Sequence, residues 1–237
     1  MAIQTRLVEY DCDGILLEGY LAWDDTAGTV PAVAVAHTWA GRGEFEEAKA
    51  RALAEDGYVG FAVDMYGKGI LGTSVEENTA LMTPLMEDRA VLQQRISRGI
   101  EVLREQPEVD ASRVAAMGFC FGGLCVLDLA RAGSDVLGVV SFHGLFNAPE
   151  GKASMPISAK VLCLHGYDDP MAQPDSLLAL ASELTAAWAD WQVHAYGNTL
   201  HAFTNPNAAD PEMGTVYNAD ADRRSWQALR NFLDELF

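Results

Sequence analysis

Apolar and polar residues change rhythm several times along this chain, and each rhythm names an element. Residues 5–10 and 15–23 alternate with a period of two around Asp11-Cys12-Asp13-Gly14, which predicts a β-hairpin. Residues 31–36 and 59–63 are apolar throughout, as strands buried on both faces are. Between them the pattern predicts a helix over 44–56, with Phe45, Ala48, Ala52 and Leu53 on its inner side and Gly57 as its stop. Ser74-Val75-Glu76-Glu77 has the form of a capping box and opens a mostly helical stretch, where 81–106 carries Leu92, Ile96, Ile100 and Leu103 inward. Further strands are predicted at 114–119, 136–142, 160–165 and 192–196, with helices after 119 and over 175–188. The last helix keeps a 3.6 period through Trp226, Leu229, Phe232, Leu233 and Leu236.

Strands that alternate with helices of this length predict an α/β fold, a mostly parallel central sheet with helices on both faces and an N-terminal hairpin. No repeat, low-complexity tract or charge block divides the sequence, so one domain over 1–237 is expected. Ligands of such sheets bind beyond the carboxyl ends of the strands.

Composition narrows the partners. With 34 acidic and 16 basic residues the formal net charge is -18, which repels phosphate backbones and anionic lipid headgroups. Neither nucleic acid nor membrane is expected as a partner. The longest apolar stretch, residues 30–36, is far short of the roughly 20 residues of a membrane span, and the first residues lack the apolar core of a signal peptide. A cytoplasmic protein is expected, as a monomer or small homo-oligomer. Four cysteines without a CxxC pair, Cys12, Cys120, Cys125 and Cys163, do not read as a disulfide framework.

The chemistry is concentrated after the strand that ends at Phe119. Gly118-Phe119-Cys120-Phe121-Gly122-Gly123 is a G-x-C-x-G-G turn between a strand and an apolar helix, the setting of a nucleophile elbow. The apex side chain is lifted toward the ligand crevice, and the helix N-terminus below it favours negative charge. In such folds the nucleophile is followed in the chain by an acid and then a histidine, each on a loop after a later strand. His165-Gly166-Tyr167-Asp168-Asp169-Pro170 supplies two candidate acids, of which the H-G-x-x-D-P spacing favours Asp169, leaving Asp168 to cap or face solvent. Gly197-Asn198-Thr199-Leu200-His201-Ala202-Phe203 supplies the base, His201. His165 and His194, inside strand patterns, read as satisfied core histidines. His37, Cys120, His143 and His201 all fall at strand-end loops, but their spacing matches no metal motif, and no metal is expected.

These residues resemble the dienelactone hydrolase family of α/β-hydrolases over essentially the whole chain. The likeness takes in the hairpin, His37-Thr38-Trp39-Ala40-Gly41, Val63-Asp64-Met65-Tyr66-Gly67, the cysteine elbow and the two later loops. It implies a small, lidless, cofactor-free hydrolase that opens lactones or cleaves esters through a thioester. It further implies an oxyanion hole from the backbone N–H groups of Phe121 and Trp39. Two positions depart from the pattern. Thr38 stands where dienelactone-cleaving members carry a glutamate, and Asn205 stands where one of their carboxylate-binding arginines lies. Together with the net charge these point away from dienelactone itself, the substrate of a carboxymethylenebutenolidase proper, and toward small neutral esters or lactones. Neutral phosphotriesters and activated aryl esters suit the same thiol. Thr38, Tyr66, Arg89, His143 and Phe203 are the candidate pocket residues.

Overall fold

Residues 2–149 and 156–237 are described in a computed structural model of the chain. They fall into two compact units, residues 1–117 and 118–237.

The first unit opens with the hairpin, β1 (Ile3–Cys12) against β2 (Ile15–Asp24), antiparallel with Cys12 opposite Ile15. Asp13 and Gly14 turn it, both with positive φ. Then come β3 (Val30–Ala36), α1 (Glu44–Glu55), β4 (Val59–Val63), α2 (Val75–Glu87), α3 (Arg89–Arg104) and β5 (Val109–Phe119), the strands lying in the order β1-β2-β4-β3-β5. β3 and β4 are parallel and almost wholly buried, the continuous apolar runs of the sequence. Helices cover both faces of β4. A side chain on Gly60 would collide with the backbone of Ala50 in α1, while Val63, which points to the opposite face, packs on Gly99 of α3.

Two local predictions change. The buried side of α1 is Glu46, Ala50, Leu53 and Ala54, and Ala48 is exposed. Glu46 goes inside because its carboxylate accepts the backbone N–H groups of Thr38 (3.0 Å) and Gly43 (3.0 Å), fixing the loop after β3. The long helical stretch is two helices, since Asp88 leaves helical geometry and caps α3 by accepting from the N–H groups of Ala90 and Val91. Ser74 caps α2 as expected, but Glu77 reaches past it to the N–H and hydroxyl of Thr73.

The second unit continues from the end of β5 with α4 (Phe121–Arg131), β6 (Gly138–Phe142), β7 (Lys160–Gly166), α5 (Pro174–Ala186), β8 (Trp191–Tyr196), the two-residue strands β9 (Ala209–Asp210) and β10 (Thr215–Val216), and α6 (Ala219–Leu236). β6, β7 and β8 are consecutive and parallel. Gly138 packs on Phe232 and Leu236 of α6, and Ser141, on the other face of β6, packs on Gly123 of α4, so both faces are again covered. A buried charge hub ties this unit together. Arg131 binds Glu183 of α5 through two 2.7 Å bonds, the buried Asp128 at 3.1 Å, and the carbonyl of Phe146 in the loop after β6 at 2.9 Å.

Eight mostly parallel strands, helices on both faces and the N-terminal hairpin make this an α/β-hydrolase fold. No helix among the described residues is long and apolar enough to cross a membrane.

Candidate active site

Cys120 stands between β5 and α4 with φ 55° and ψ −114°, a conformation an L-residue holds only where its surroundings impose it. Its N–H donates to Phe142 O (3.0 Å) and its carbonyl accepts from Leu124 N (3.3 Å), so the backbone is fixed on both sides of the apex. The small residues flanking it follow from contact, since a Cβ on Gly118 would collide with the carbonyl of Gly122. Cys120 is partly exposed, whereas Cys12, Cys125 and Cys163 are buried free thiols. Burial pushes the Cys163 thiol up to about 12. Phe121, directly after the apex, opens α4.

Asp169 and His201 come together from the loops after β7 and β8. His201 Nδ1–H donates to Asp169 Oδ2 at 2.6 Å, and both side chains are almost completely buried, 2% and 0% exposed. That donation leaves His201 Nε2 as the basic nitrogen. Nε2 has no partner at hydrogen-bond geometry among the described residues. Burial works to lower the His201 pKa, but the Cys120 sulfur and the Asp169 carboxylate outweigh it and hold the imidazole at about 10. Asp168, exposed, instead accepts the backbone N–H of Thr199 at 3.2 Å and laces the two loops together.

A short ribbon that the sequence pattern did not reveal holds this arrangement. His201 N donates to Gly214 O (2.9 Å) and Val216 N donates to His201 O (3.1 Å), so β9 and β10 grip the His201 backbone. Gly214 has φ 77° and lies flat against the Pro170 ring, next to Asp169. Its signal was Pro211 followed by Gly214, a turn pattern too short to register as strands.

The remaining predicted positions divide between the units. In the second, His143 is buried at the end of β6 with φ 36°. Its Nε2 pairs with Thr204 Oγ1 (2.8 Å), and its ring stands edge-on to His201 and Phe203 at 5.1 and 5.2 Å. Phe203 has no exposed surface and packs edge-on to His143, which in turn stands edge-on to His201. His165 is buried, with neither ring nitrogen hydrogen-bonded among the described residues, and His194 is exposed on β8, so neither is the satisfied core histidine expected. His194 is exposed because β8 ends the strand order.

In the first unit, buried His37 accepts Met65 N–H on Nε2 (3.1 Å), which leaves Nδ1–H to donate to Thr38 O (2.6 Å). Burial lowers its pKa and keeps it neutral. Thr38 and Trp39 lie in the loop after β3, and Tyr66 OH donates to Trp39 O (3.0 Å). Tyr66 also lines a cavity of about 490 Å³ with Leu81, Pro84, Leu85, Val91 and Arg95. Arg89 lies at the start of α3 outside that lining. Among the described residues no group of three His, Cys, Asp or Glu side chains converges as metal ligands.

The sequence profile of the dienelactone hydrolase family matches residues 17–237. A crystal structure described as a dienelactone hydrolase-like promiscuous phosphotriesterase from metagenomic libraries is 35% identical, with a TM-score of 0.93 over the full length of both chains. A Caenorhabditis elegans protein without an assigned activity is 34% identical over 152 residues, which is 62% of this chain and 94% of that one. The dienelactone hydrolase of Anabaena variabilis, 21% identical with a TM-score of 0.72 over 99% of both chains, shares the fold.

Proposed function

The chain belongs to the dienelactone hydrolase family, hydrolases that act on ester bonds, and from that premise we propose that it is a cysteine-dependent hydrolase of small neutral carboxylic esters or lactones. The observation that carries this reading is the buried Asp169–His201 pair acting on a partly exposed Cys120 at a strained elbow. Cys120 Sγ, its proton held on His201 Nε2, attacks the acyl carbon, and the backbone N–H of Phe121 donates to the oxygen that becomes negative. As the tetrahedral intermediate collapses, the C–O bond breaks and protonated His201 gives its Nε2 proton to the leaving alkoxide, leaving a thioester on Cys120. Neutral His201 then takes a proton from water. The hydroxide attacks the thioester carbon, the C–S bond breaks, and the acid is released. Asp169 keeps Nδ1 protonated and stabilises the imidazolium throughout. In a lactone the leaving alkoxide stays attached to the acyl chain and departs with it.

The preference for neutral substrates rests on the net charge of -18 and on Asn205, which follows His201 where a carboxylate-binding arginine would be needed. A second reading, neutral phosphotriesters, is favoured by the likeness to the phosphotriesterase at 35% identity. There the same sulfur attacks phosphorus and expels an aryloxide.

One equivalent of iodoacetamide should abolish hydrolysis, with the label found by mass spectrometry on Cys120 and with substrate protecting it. A Cys120→Ala variant with full activity would overturn the mechanism. Ranking neutral esters, lactones and phosphotriesters by kcat/KM separates the two substrate classes.

A further inference from the structure

β8 ends the strand order of its unit, and it is an unguarded edge. Natural edge strands are blunted by lysine, proline, bulges or charges that make pairing with another chain costly. β1, which ends the order in the other unit, carries Arg6, Glu9 and Asp11. β8 is Trp-Gln-Val-His-Ala-Tyr, with no formal charge, proline or glycine along its length.

Its free hydrogen-bonding groups can be assigned. Val161 N–H reaches Asp190 O and Tyr167 N–H reaches Tyr196 O, so the even-numbered residues turn their backbone groups to β7. In a parallel pair the alternate residues face away, which directs the N–H and C=O of Trp191, Val193 and Ala195 to the open side. Side chains alternate likewise. Trp191 lies over α5, bonded to Thr185 at 3.2 Å, whereas Gln192, His194 and Tyr196 share a shallow cavity of about 330 Å³ with the outer residues of α6.

The charges beside this edge are polarised along it. Arg224 lies by Tyr196 at the carboxyl end of β8, exposed and without a carboxylate partner among the described residues. Glu235 and Asp190, both bonded to Lys160, lie at the amino end. A twofold axis reverses the strand and brings each end against the opposite end of its copy, so the pattern complements itself. Just before the strand, Trp188 is 88% exposed with φ 58°, the most exposed large apolar side chain among those described.

We propose that β8 is a homodimerisation edge, pairing antiparallel with β8 of a second copy about a twofold axis through Val193. Only an odd-to-odd register joins the outward groups, so Val193 faces the partner's Val193 and Trp191 faces the partner's Ala195. Arg224 then meets the partner's Glu235 at both ends of the interface, and Trp188 stands over the partner's turn at Gly197 and Asn198.

Sedimentation equilibrium of the intact protein at micromolar concentration should give twice the 25.6 kDa chain mass. Hydrogen exchange should show the amides of Trp191, Val193 and Ala195 protected in the dimer and unprotected on dilution. Val193→Pro deletes an outward N–H without touching the bonds to β7 and should give a monomer. Arg224→Glu should raise the dimer dissociation constant about tenfold or more through like-charge contact, and adding Glu235→Arg should restore it. The restored pair keeps the test decisive if the proline variant fails to fold. A wild-type monomer, a dimer that leaves those three amides unprotected, or a charge reversal that does not rescue would each overturn the proposal.

Discussion

Replacing Asp169 and Asp168 in turn by asparagine separates two adjacent carboxylates whose surroundings differ. Asp169 is buried and accepts the His201 Nδ1–H at 2.6 Å, with its other oxygen taking Met171 N–H at 2.8 Å. A hydrogen bond to a charged group in such a site is worth about 1.5–3 kcal/mol, which alone is a factor of roughly 10 to 10² in rate. The amide adds a second loss. With its N–H turned to Nδ1, it stabilises the tautomer protonated on Nε2, which cannot accept a proton, and the combined loss is expected at roughly 10³ to 10⁴ in kcat. Asp168 is exposed, and its bond to Thr199 N–H can be remade by the amide oxygen of asparagine, so a loss of about twofold is expected. The assay is kcat and KM for a chromogenic neutral ester, with circular dichroism to show that both variants are folded. Equal losses, or a larger loss in Asp168→Asn, would refute the assignment of the acid.

Three further outcomes follow from the same geometry. The His201 ring, held at about 10 by Cys120 and Asp169 against its burial, should titrate far above 6.5 by NMR and move down in Cys120→Ala; a ring titrating below 7 in the wild type would contradict this. Gly214→Ala combines strain at φ 77° with a collision against Pro170, and should cost about 1–3 kcal/mol of stability and lower kcat more than it raises KM, while an unchanged kcat would show that the ribbon does not position His201. Buried His37 and His165 have pKa values lowered below 6.5, so the unfolded chain binds more protons than the folded one just below that pH, and stability should fall as the pH drops from 7 toward 5. The fall should be shallower in His37→Gln, and an unchanged slope of Tm against pH would remove His37 from the account.

The parts of this molecule legible in its sequence are those where one residue's chemistry decides the local structure. The buried parallel strands were visible as unbroken apolar runs, and the elbow as glycines around Cys120, because a helix starting directly after a strand leaves no room for larger residues there. What stayed hidden depends on partners distant in the chain. Glu46 sits on what the period made a polar face, yet it is buried because Thr38 and Gly43, on a loop eight and three residues earlier, present N–H groups to it. His143 and Phe203 were legible as aromatic residues at strand-end loops, but only the fold shows that His143 packs on His201 and Phe203 on His143. The ribbon of β9 and β10 is the extreme case, four residues with no period of their own whose bonds fix the His201 backbone. The type and order of the reactive groups could therefore be read locally. Their alignment is a property of the packing behind them, so substitutions at His143, Thr204, Pro170 and Gly214 should alter rate without altering the chemistry.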